Sequence, residues 1–98
     1  MSRPVVFRPQ AEAEVLAART WYDAQRPGLG DEFAAAFDRA LNLVTTSPES
    51  FPKVHGETRR ALLRRFPYAL YFRLLPSALL VLAVVHGRRD PRVWRSRR

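Results

Sequence analysis

The feature of this sequence that most constrains its fold is an unbroken apolar segment, Ala78–Val85. The segment is too short to cross a bilayer, and Pro76 and Gly87 place a turn on either side of it. A short apolar run that contains β-branched residues and lies between turns is typical of a β-strand buried on both faces. The sequence therefore predicts a sheet organised around this segment.

Two shorter strands are predicted immediately before it. Arg60–Arg64 is a mixed polar and apolar run that stops at Phe66-Pro67, and Tyr68–Leu74 is rich in aromatic residues, which favour strands. Short connections that contain proline join the three segments, as they do between neighbouring antiparallel strands. We therefore expect an antiparallel three-strand meander over residues 60–85.

The first half of the chain predicts one strand and two helices. Pro4–Arg8 is predicted to be a short strand, either at the edge of the sheet or paired within it. A first helix begins at Pro9, because proline suits the first turn, and ends before Pro27-Gly28. A second helix begins near Asp31, a candidate N-cap or first-turn acid, and ends before Pro48. Since only a few residues separate the helices, we expect an antiparallel hairpin.

The helical spacing of apolar residues indicates which side of each helix faces the core. Residues 50–58 are predicted to form a loop, a short helical turn around Val93-Trp94 is predicted to hold the tail, and residues 95–98 are predicted to fray. The residues assigned to the core are Ala11, Val15, Leu16, Ala18, Trp21 and Tyr22 in the first helix, and Phe33, Phe37, Ala40, Leu41 and Val44 in the second.

The order of strand, helix, helix and three strands predicts an α+β fold, with the helical hairpin packed on one face of a largely antiparallel sheet. A length of 98 residues accommodates one hydrophobic core, so we expect a single domain over residues 1–98. The hydrophobic fraction of 47% supports a folded chain rather than a disordered one.

Metal and thiol chemistry have little support in the sequence. The chain has no cysteine, and His55 and His86 lie far apart without carboxylates at metal-ligand spacing, so we predict neither a metal site nor a cofactor. A small fold without disulfides suits a reducing compartment, and no apolar stretch has the length of a signal peptide or a membrane span. We therefore expect a cytoplasmic protein that has no membrane partner.

The positive charge of the chain is concentrated in its second part. Residues 1–58 carry six basic and eight acidic side chains, whereas residues 59–98 carry eleven arginines and one acid, Asp90. A solvated surface position is the ordinary role of a single arginine, but a cluster of this size favours binding of an anionic partner. Nucleic acid and an acidic protein segment are the two candidates. The clustered residues are Arg60, Arg64, Arg65, Arg73, Arg88, Arg89, Arg92 and Arg95.

The chain ends in the pattern V-x-H-x-R-R-D-P-x-x-W over Val84–Trp94, with F-P-Y upstream at residues 66–68. Ahead of these motifs lie Ala11, Tyr22, Gly30, Phe33, Pro48 and Arg59. With these residues at this spacing, nearly the whole chain resembles the ParE/RelE superfamily, the toxins of bacterial type II toxin–antitoxin systems. The fold that the resemblance implies is the strand, helical hairpin and antiparallel sheet predicted above.

Members of the RelE type cut messenger RNA on the ribosome without a metal, using lysines, arginines and a tyrosine near the C-terminus. This chain departs from that pattern with Leu62 in place of a lysine, Ala69 in place of an arginine and Trp94 in place of the tyrosine. An indole cannot exchange a proton as a phenol does, and positioned proton transfer contributes roughly 10²–10⁴ in rate, so the comparison disfavours a nuclease. If the chain were a nuclease, the candidate catalytic residues would be Arg60, Arg64, His86 and Arg88.

The resemblance is better to members of the ParE type, which bind and poison DNA gyrase and catalyse no reaction of their own. It therefore implies a toxin that inhibits growth by binding gyrase. Two alternatives stay open, a ribosome-dependent messenger RNA endonuclease and a non-toxic basic binding domain. The residues predicted to contact the target are Arg88, Arg89, Arg92, Trp94 and Arg95.

Both types imply a second partner, a cognate antitoxin with an acidic segment that covers the sheet and the hairpin of the toxin in a hetero-oligomer. Arginine pairs well with the carboxylates of such a segment, so the basic part of the meander is the expected contact region. The residues predicted to bind the antitoxin are Arg60, Arg64, Arg65 and Arg73.

Overall fold

The computed structural model describes residues 3–98, which form a five-stranded sheet with a helical hairpin on one face. Strand β1 (Val5–Phe7) leads into helix α1 (Pro9–Gln25) and helix α2 (Leu29–Thr46), and a 3₁₀ turn spans Pro48–Ser50. No helix in this range has the length and apolarity that a membrane span requires. The remaining elements are β2 (Lys53–His55), β3 (Thr58–Leu62), β4 (Tyr68–Leu74), β5 (Leu79–His86) and the short helix α3 (Arg92–Arg95).

The strands lie in the order β1-β5-β4-β3-β2, with β1 parallel to β5 and the other neighbouring pairs antiparallel. The predicted α+β fold is confirmed, and its meander consists of β3, β4 and β5. Strand β1 lies at the edge of the sheet, which is one of the two positions predicted for it. Strand β3 begins and ends two residues earlier than predicted, because residues 63–67 form the connection to β4.

The prediction of a loop over residues 50–58 is wrong, because this segment contains β2. Lys53 pairs with Arg59 and His55 pairs with Thr58, so β2 and β3 form a tight hairpin. Gly56 has a φ of +56° and supplies the left-handed backbone conformation that the turn needs. Three residues are too few to show a strand period in sequence, which is why the strand was not predicted.

Strand β5 is the centre of the core. Every residue from Leu79 to Val85 is at most 5% exposed, which confirms the predicted strand buried on both faces. Val81 and Val84 pack under the helical hairpin, whereas Val85 contacts the cluster around Trp94 on the opposite side, called the open face below. Each leucine or valine buried in this way contributes roughly 1.5–3 kcal/mol by leaving water.

A β-bulge interrupts the regular alternation of β5. Two consecutive residues of β4 pair with Val81 and Ala83, which leaves Leu82 without a partner in β4. The extra residue reverses which side chains face the hairpin after that point. As a result His86 lies on the hairpin side of the sheet, with its ring centroid 5.7 Å from that of Tyr68.

The two helices pack closely because Gly30 has no side chain. A Cβ atom placed on Gly30 would lie 2.5 Å from the carbonyl oxygen of Arg19. Asp23 of α1 accepts hydrogen bonds from the backbone N–H groups of Gly28 and Gly30 at 3.0 and 3.2 Å, and thereby caps the start of α2. Asp31, predicted as an N-cap or first-turn acid, lies in the first turn of α2 and pairs with Arg19.

The assignment of Leu16 and Trp21 to the core is wrong, since their side chains are 59% and 57% exposed. Helix α1 packs through small residues, with Ala11 and Ala18 fully buried, so larger residues beside this narrow stripe stay uncovered. Phe37 of α2 is buried as predicted. Exposed leucine and tryptophan on one helix therefore require an explanation other than packing.

Candidate functional site

A groove of about 580 Å³ runs between α1 and the outer edge of β5. It exists because β1 pairs only with Leu79–Val81, and within residues 3–98 no strand lies beside the rest of β5 on that side. Trp21 and Val84 contribute to its apolar wall, and His86 and Arg89 line it where β5 ends. The groove thus combines an exposed aromatic side chain, a strand edge and a positive charge.

An ion pair covers the free edge of β5. The backbone N–H of Val84 donates to Oε1 of Glu14 at 3.1 Å. Nη1 of Arg97 donates to the same oxygen at 2.8 Å and to the carbonyl oxygen of Leu82 at 3.2 Å. Both charged side chains are mostly buried, with 17% of Arg97 and 21% of Glu14 exposed. The pair satisfies backbone groups that a neighbouring strand would otherwise satisfy.

The predicted fraying of residues 95–98 is therefore wrong at Arg97. The side chain is anchored in the fold because Glu14 supplies a carboxylate from α1 and Leu82 supplies a backbone oxygen. The two partners of this ion pair are 83 positions apart in sequence, and no local pattern predicts such a contact.

Tyr22 links the groove to the core. Its ring stacks on Phe33 at 5.4 Å between centroids and meets Phe66 and Tyr68 edge-on at 4.9 and 6.0 Å. Burial, and to a smaller extent the neighbouring Tyr68, raises the pKa of the Tyr22 phenol above its ordinary value of 10.0. The phenol is therefore uncharged at neutral pH, and this part of the groove is a rigid apolar surface.

The open face carries Arg60 and Leu62 of β3. Their partners in β4, Tyr71 and Ala69, belong to the cluster around Trp94, and paired residues of antiparallel strands share a face. The indole of Trp94 stacks on the ring of Tyr71 with 4.0 Å between centroids and is 4% exposed. The helical turn predicted around Trp94 is therefore confirmed, and it holds α3 against the open face.

Two of the candidate nuclease residues, Arg60 and His86, lie on opposite sides of the sheet. Arg60 lies on the open face, whereas His86 lies in the groove on the hairpin side. Nδ1 of His86 accepts the backbone N–H of Arg88 at 3.1 Å, so this nitrogen is already used within the turn. Arg64 is exposed in the connection between β3 and β4. Across residues 3–98, the side chains of His, Cys, Asp and Glu form no group of three suited to a metal ion.

The residues predicted to contact the target surround α3 but differ in exposure. Trp94 is buried against the sheet, so its role is to position α3. Arg92 pairs with Asp90 at 2.7 Å, and the hydrogen bond from its side chain holds the pKa of the Asp90 carboxyl below its ordinary value. The exposed members of the set are Arg88, Arg89, Arg92 and Arg95.

The four residues predicted to bind the antitoxin do not form one patch. Arg65 pairs with Glu32 of α2 at 2.8 Å, and Arg26 pairs with the same carboxylate at 3.0 Å. Hydrogen bonds from Arg65 and then Arg26 lower the pKa of Glu32. Arg60 and Arg73 instead lie on the open face, because Arg73 is two residues from Tyr71 in the same strand. These side chains therefore belong to different surfaces.

Comparison with known proteins gives a family and several solved structures of similar fold. The sequence profile of the family described as "ParE toxin of type II toxin-antitoxin system, parDE" matches residues 5–91. The fold is similar to a solved structure titled "Chromosomal ParDE TA system from P. aeruginosa", with a TM-score of 0.76 and 15% sequence identity over 87% of this chain and 96% of that chain. No curated protein matches this chain in sequence.

These two findings have different weight. At 15% identity the structural likeness shows the fold alone, which agrees with the strand order and the helical hairpin. The family profile, by contrast, runs from β1 to the turn before α3, and it therefore includes the groove and the basic meander. The predicted resemblance is confirmed, and the chain belongs to the ParE toxin family of type II toxin–antitoxin systems.

Proposed function

We propose that this toxin arrests growth by binding DNA gyrase in the cytoplasm, and that a cognate acidic antitoxin neutralises it. The observation that carries the proposal is the chemistry of the open face. Leu62 and Ala69, which replace a lysine and an arginine of the RelE type, pair with each other there, and the indole of Trp94 is stacked against the sheet. None of these side chains transfers a proton, so the surface supports binding better than cleavage of RNA.

The target-binding surface that we propose is α3 with the turn before it. Stacking of Trp94 on Tyr71 fixes α3, so the arginines around it project from a rigid base. Asp90 already pairs with Arg92, which leaves Arg88, Arg89 and Arg95 as the exposed charges without an ion pair in the described chain. Acidic groups on a partner would form charge-assisted hydrogen bonds with these guanidinium groups.

The antitoxin is proposed to occupy the groove between α1 and β5. Trp21 offers an exposed aromatic anchor there, and aromatic anchors dominate the energy of many interfaces. Arg89 lines the groove, and Arg64 lies in the same connection as Pro67, which also lines it. An apolar segment with acidic flanks would therefore meet complementary groups along the groove. Of the arginines predicted to bind the antitoxin, we retain Arg64, whereas Arg60 lies on the opposite side of the sheet.

A supercoiling assay with purified gyrase tests the proposed target. We expect the wild-type toxin to inhibit supercoiling, and a variant combining Arg88→Gln, Arg89→Gln and Arg95→Gln to lose most of that inhibition. Arg39→Gln is the control for each of the three substitutions made singly, because Arg39 is an exposed arginine of α2 without an ion pair in residues 3–98. Equal loss of inhibition in the control would contradict the proposed surface.

Induced expression in bacteria separates the alternatives. Growth arrest with altered plasmid supercoiling and intact messenger RNA, relieved by co-expression of the antitoxin, is the expected result. Rapid cleavage of messenger RNA would instead show that the argument from Leu62, Ala69 and Trp94 is wrong. Unimpaired growth would favour a non-toxic basic binding domain.

A further inference from the structure

A second recess, of about 320 Å³, lies apart from the groove, where the β2–β3 turn, the end of β4 and the carboxyl-terminal segment meet. Its lining includes His55, Arg73, Arg95 and Arg98. These residues come from three separate parts of the chain, so only the folded protein brings their charges together. The recess is also distinct from Leu62 and Ala69, which lie at the other end of the β3–β4 ladder.

Arg73 is the unusual member of this group. Its side chain is half-buried, and its Nε atom is buried without a hydrogen-bond partner in the part of the chain that the structure describes. Buried donors on charged groups are almost always satisfied, because leaving one unpaired is unfavourable. Because no side chain or backbone oxygen within residues 3–98 accepts from this guanidinium group, its remaining N–H groups at the wall of the recess are suited to a ligand that brings acceptor oxygens.

The charge of the recess is only partly neutralised by the protein. Glu57, an acid in its lining, pairs with Lys53 at 2.9 Å, and the hydrogen bond from Lys53 lowers the pKa of Glu57. Arg73, Arg95 and Arg98 form no ion pair with any acid among residues 3–98. The recess therefore carries an excess of positive charge that favours an anion.

We propose that Arg73, Arg95 and Arg98 bind a phosphate group in this recess. Guanidinium groups that approach from β4, from α3 and from the segment after it can each donate to a different oxygen of a tetrahedral phosphate. A planar carboxylate has only two oxygens and a single charge, so it matches three arginines less well. A nucleic-acid backbone and free phosphate are the two sources of this chemistry. The proposal does not depend on gyrase being the growth target.

The Nε–Hε signal of Arg73 in an NMR spectrum of the whole protein reports directly on this site. We expect it to shift during titration with inorganic phosphate and during titration with a short DNA duplex. A higher affinity for the duplex identifies the nucleic-acid backbone as the source, and a higher affinity for inorganic phosphate identifies the free anion. A signal that stays unchanged with both probes would overturn the proposal.

Substitutions test the same site through affinity for the duplex. Arg73→Gln is expected to weaken binding roughly tenfold, since a hydrogen bond to a charged group is lost. Loss of one phosphate contact also lowers the slope of log affinity against log salt by about one. Arg95→Gln, at an exposed position, is expected to act in the same way without risk to the fold.

Arg39→Gln changes the net charge equally but lies on α2, so it is expected to leave the affinity nearly unchanged. An equal loss in Arg39→Gln and Arg73→Gln would show only general attraction to DNA and would contradict the proposed site. Displacement of the duplex by glutarate, a small dicarboxylate, at lower concentration than by inorganic phosphate would also contradict it, because the recess would then prefer carboxylates.

Discussion

At the scale of single residues, the carboxylate of Glu14 satisfies hydrogen-bonding groups at the free edge of β5. It accepts the N–H of Val84 and the guanidinium of Arg97, so its removal leaves a backbone donor and a charge without their acceptor. We expect Glu14→Ala to lower the free energy of unfolding by about 1–3 kcal/mol, measured by urea denaturation. Glu12→Ala is the control, because Glu12 is exposed two positions away in α1. A similar cost in both variants would contradict the role of the ion pair.

Trp94 is a second residue whose contribution to the free energy of unfolding can be measured by one substitution. Truncation removes its stacking on Tyr71 and opens a cavity under α3, so Trp94→Ala is expected to cost about 3–5 kcal/mol in urea denaturation. Trp21→Ala is a matched control, since the same side chain is more than half exposed on α1. An equal loss of stability in Trp21→Ala would show that burial of Trp94 does not explain the effect of Trp94→Ala.

The sequence predicted a terminal helical turn around Val93 and Trp94, because these are apolar residues in an otherwise basic tail. It did not predict the contacts of Arg97 and Glu14. Those depend on the width of the gap beside β5, which is set by the three-residue length of β1. Side chains that complete a sheet edge have no periodicity, so they are found only once the strand order is known.

At the scale of elements, Gly30 sets the distance between α1 and α2. In an exposed helix, replacing glycine with alanine stabilises by about 1 kcal/mol through helix propensity. Here a new Cβ atom would meet the backbone of α1, so we expect Gly30→Ala to destabilise the protein by about 1–3 kcal/mol in thermal or urea unfolding. Ala35→Gly, at an exposed position of α2, calibrates the propensity effect. Stabilisation by Gly30→Ala would show that the helices can separate at no cost.

Glu32 joins α2 to the β3–β4 connection through Arg65 and makes part of the stability dependent on pH. Its pKa is below the ordinary value of 4.5 in the folded state, so the unfolded chain binds its proton first as pH falls. The contribution is therefore present at neutral pH and is lost as pH falls below 4.5 through the lowered pKa.

Urea unfolding at a series of pH values measures this effect. We expect Glu32→Gln to be less stable than the wild type at neutral pH and to approach it at acid pH. Glu49→Gln, at an exposed position in the 3₁₀ turn, is the control and is expected to follow the wild type throughout. A constant difference between Glu32→Gln and the wild type would show that the ion pairs are not responsible.

The elements differ in how well the sequence predicted them. Strand β5 was predicted because it has eight consecutive apolar residues, whereas a strand with one buried face needs them only at every second position. Strand β2 was missed, because an alternation of polar and apolar residues over only three positions is also common in loops. The bulge at Leu82 has no signal in the sequence either, although it decides that His86 faces the groove.

At the scale of the whole molecule, the groove proposed for the antitoxin and the surface proposed for the target meet at Arg89. Trp21→Ala is expected to weaken antitoxin binding at least roughly tenfold, measured by calorimetry, while the free energy of unfolding changes little. Leu43→Ala is the control, because Leu43 is comparably exposed but lies on α2 outside the groove. Equal weakening by both substitutions would contradict docking in the groove.

The charge asymmetry of the sequence predicted a basic surface, but it did not predict that the arginines lie on several different surfaces. Four arginines expected to act together lie on different surfaces, because Arg65 pairs with α2 whereas Arg73 lies on the open face. Conversely, Arg98 joins Arg73 in one recess although neither their spacing nor their neighbours suggest it. Net charge is visible in composition, but the grouping of charges depends on strand order and register.

The parallel pairing of β1 with β5 also determines the order in which the strands can pair during synthesis. Val5 pairs with Leu79, so β1, the first strand to be synthesised, cannot pair until β5 has been made. The helical hairpin likewise exists before the meander that it covers, whereas β4 and β5 are neighbours in sequence and close quickly. A ribosome translating this chain therefore carries an unfinished sheet, and the surface around α3 that we assign to the target comes into being only after β5 has been made.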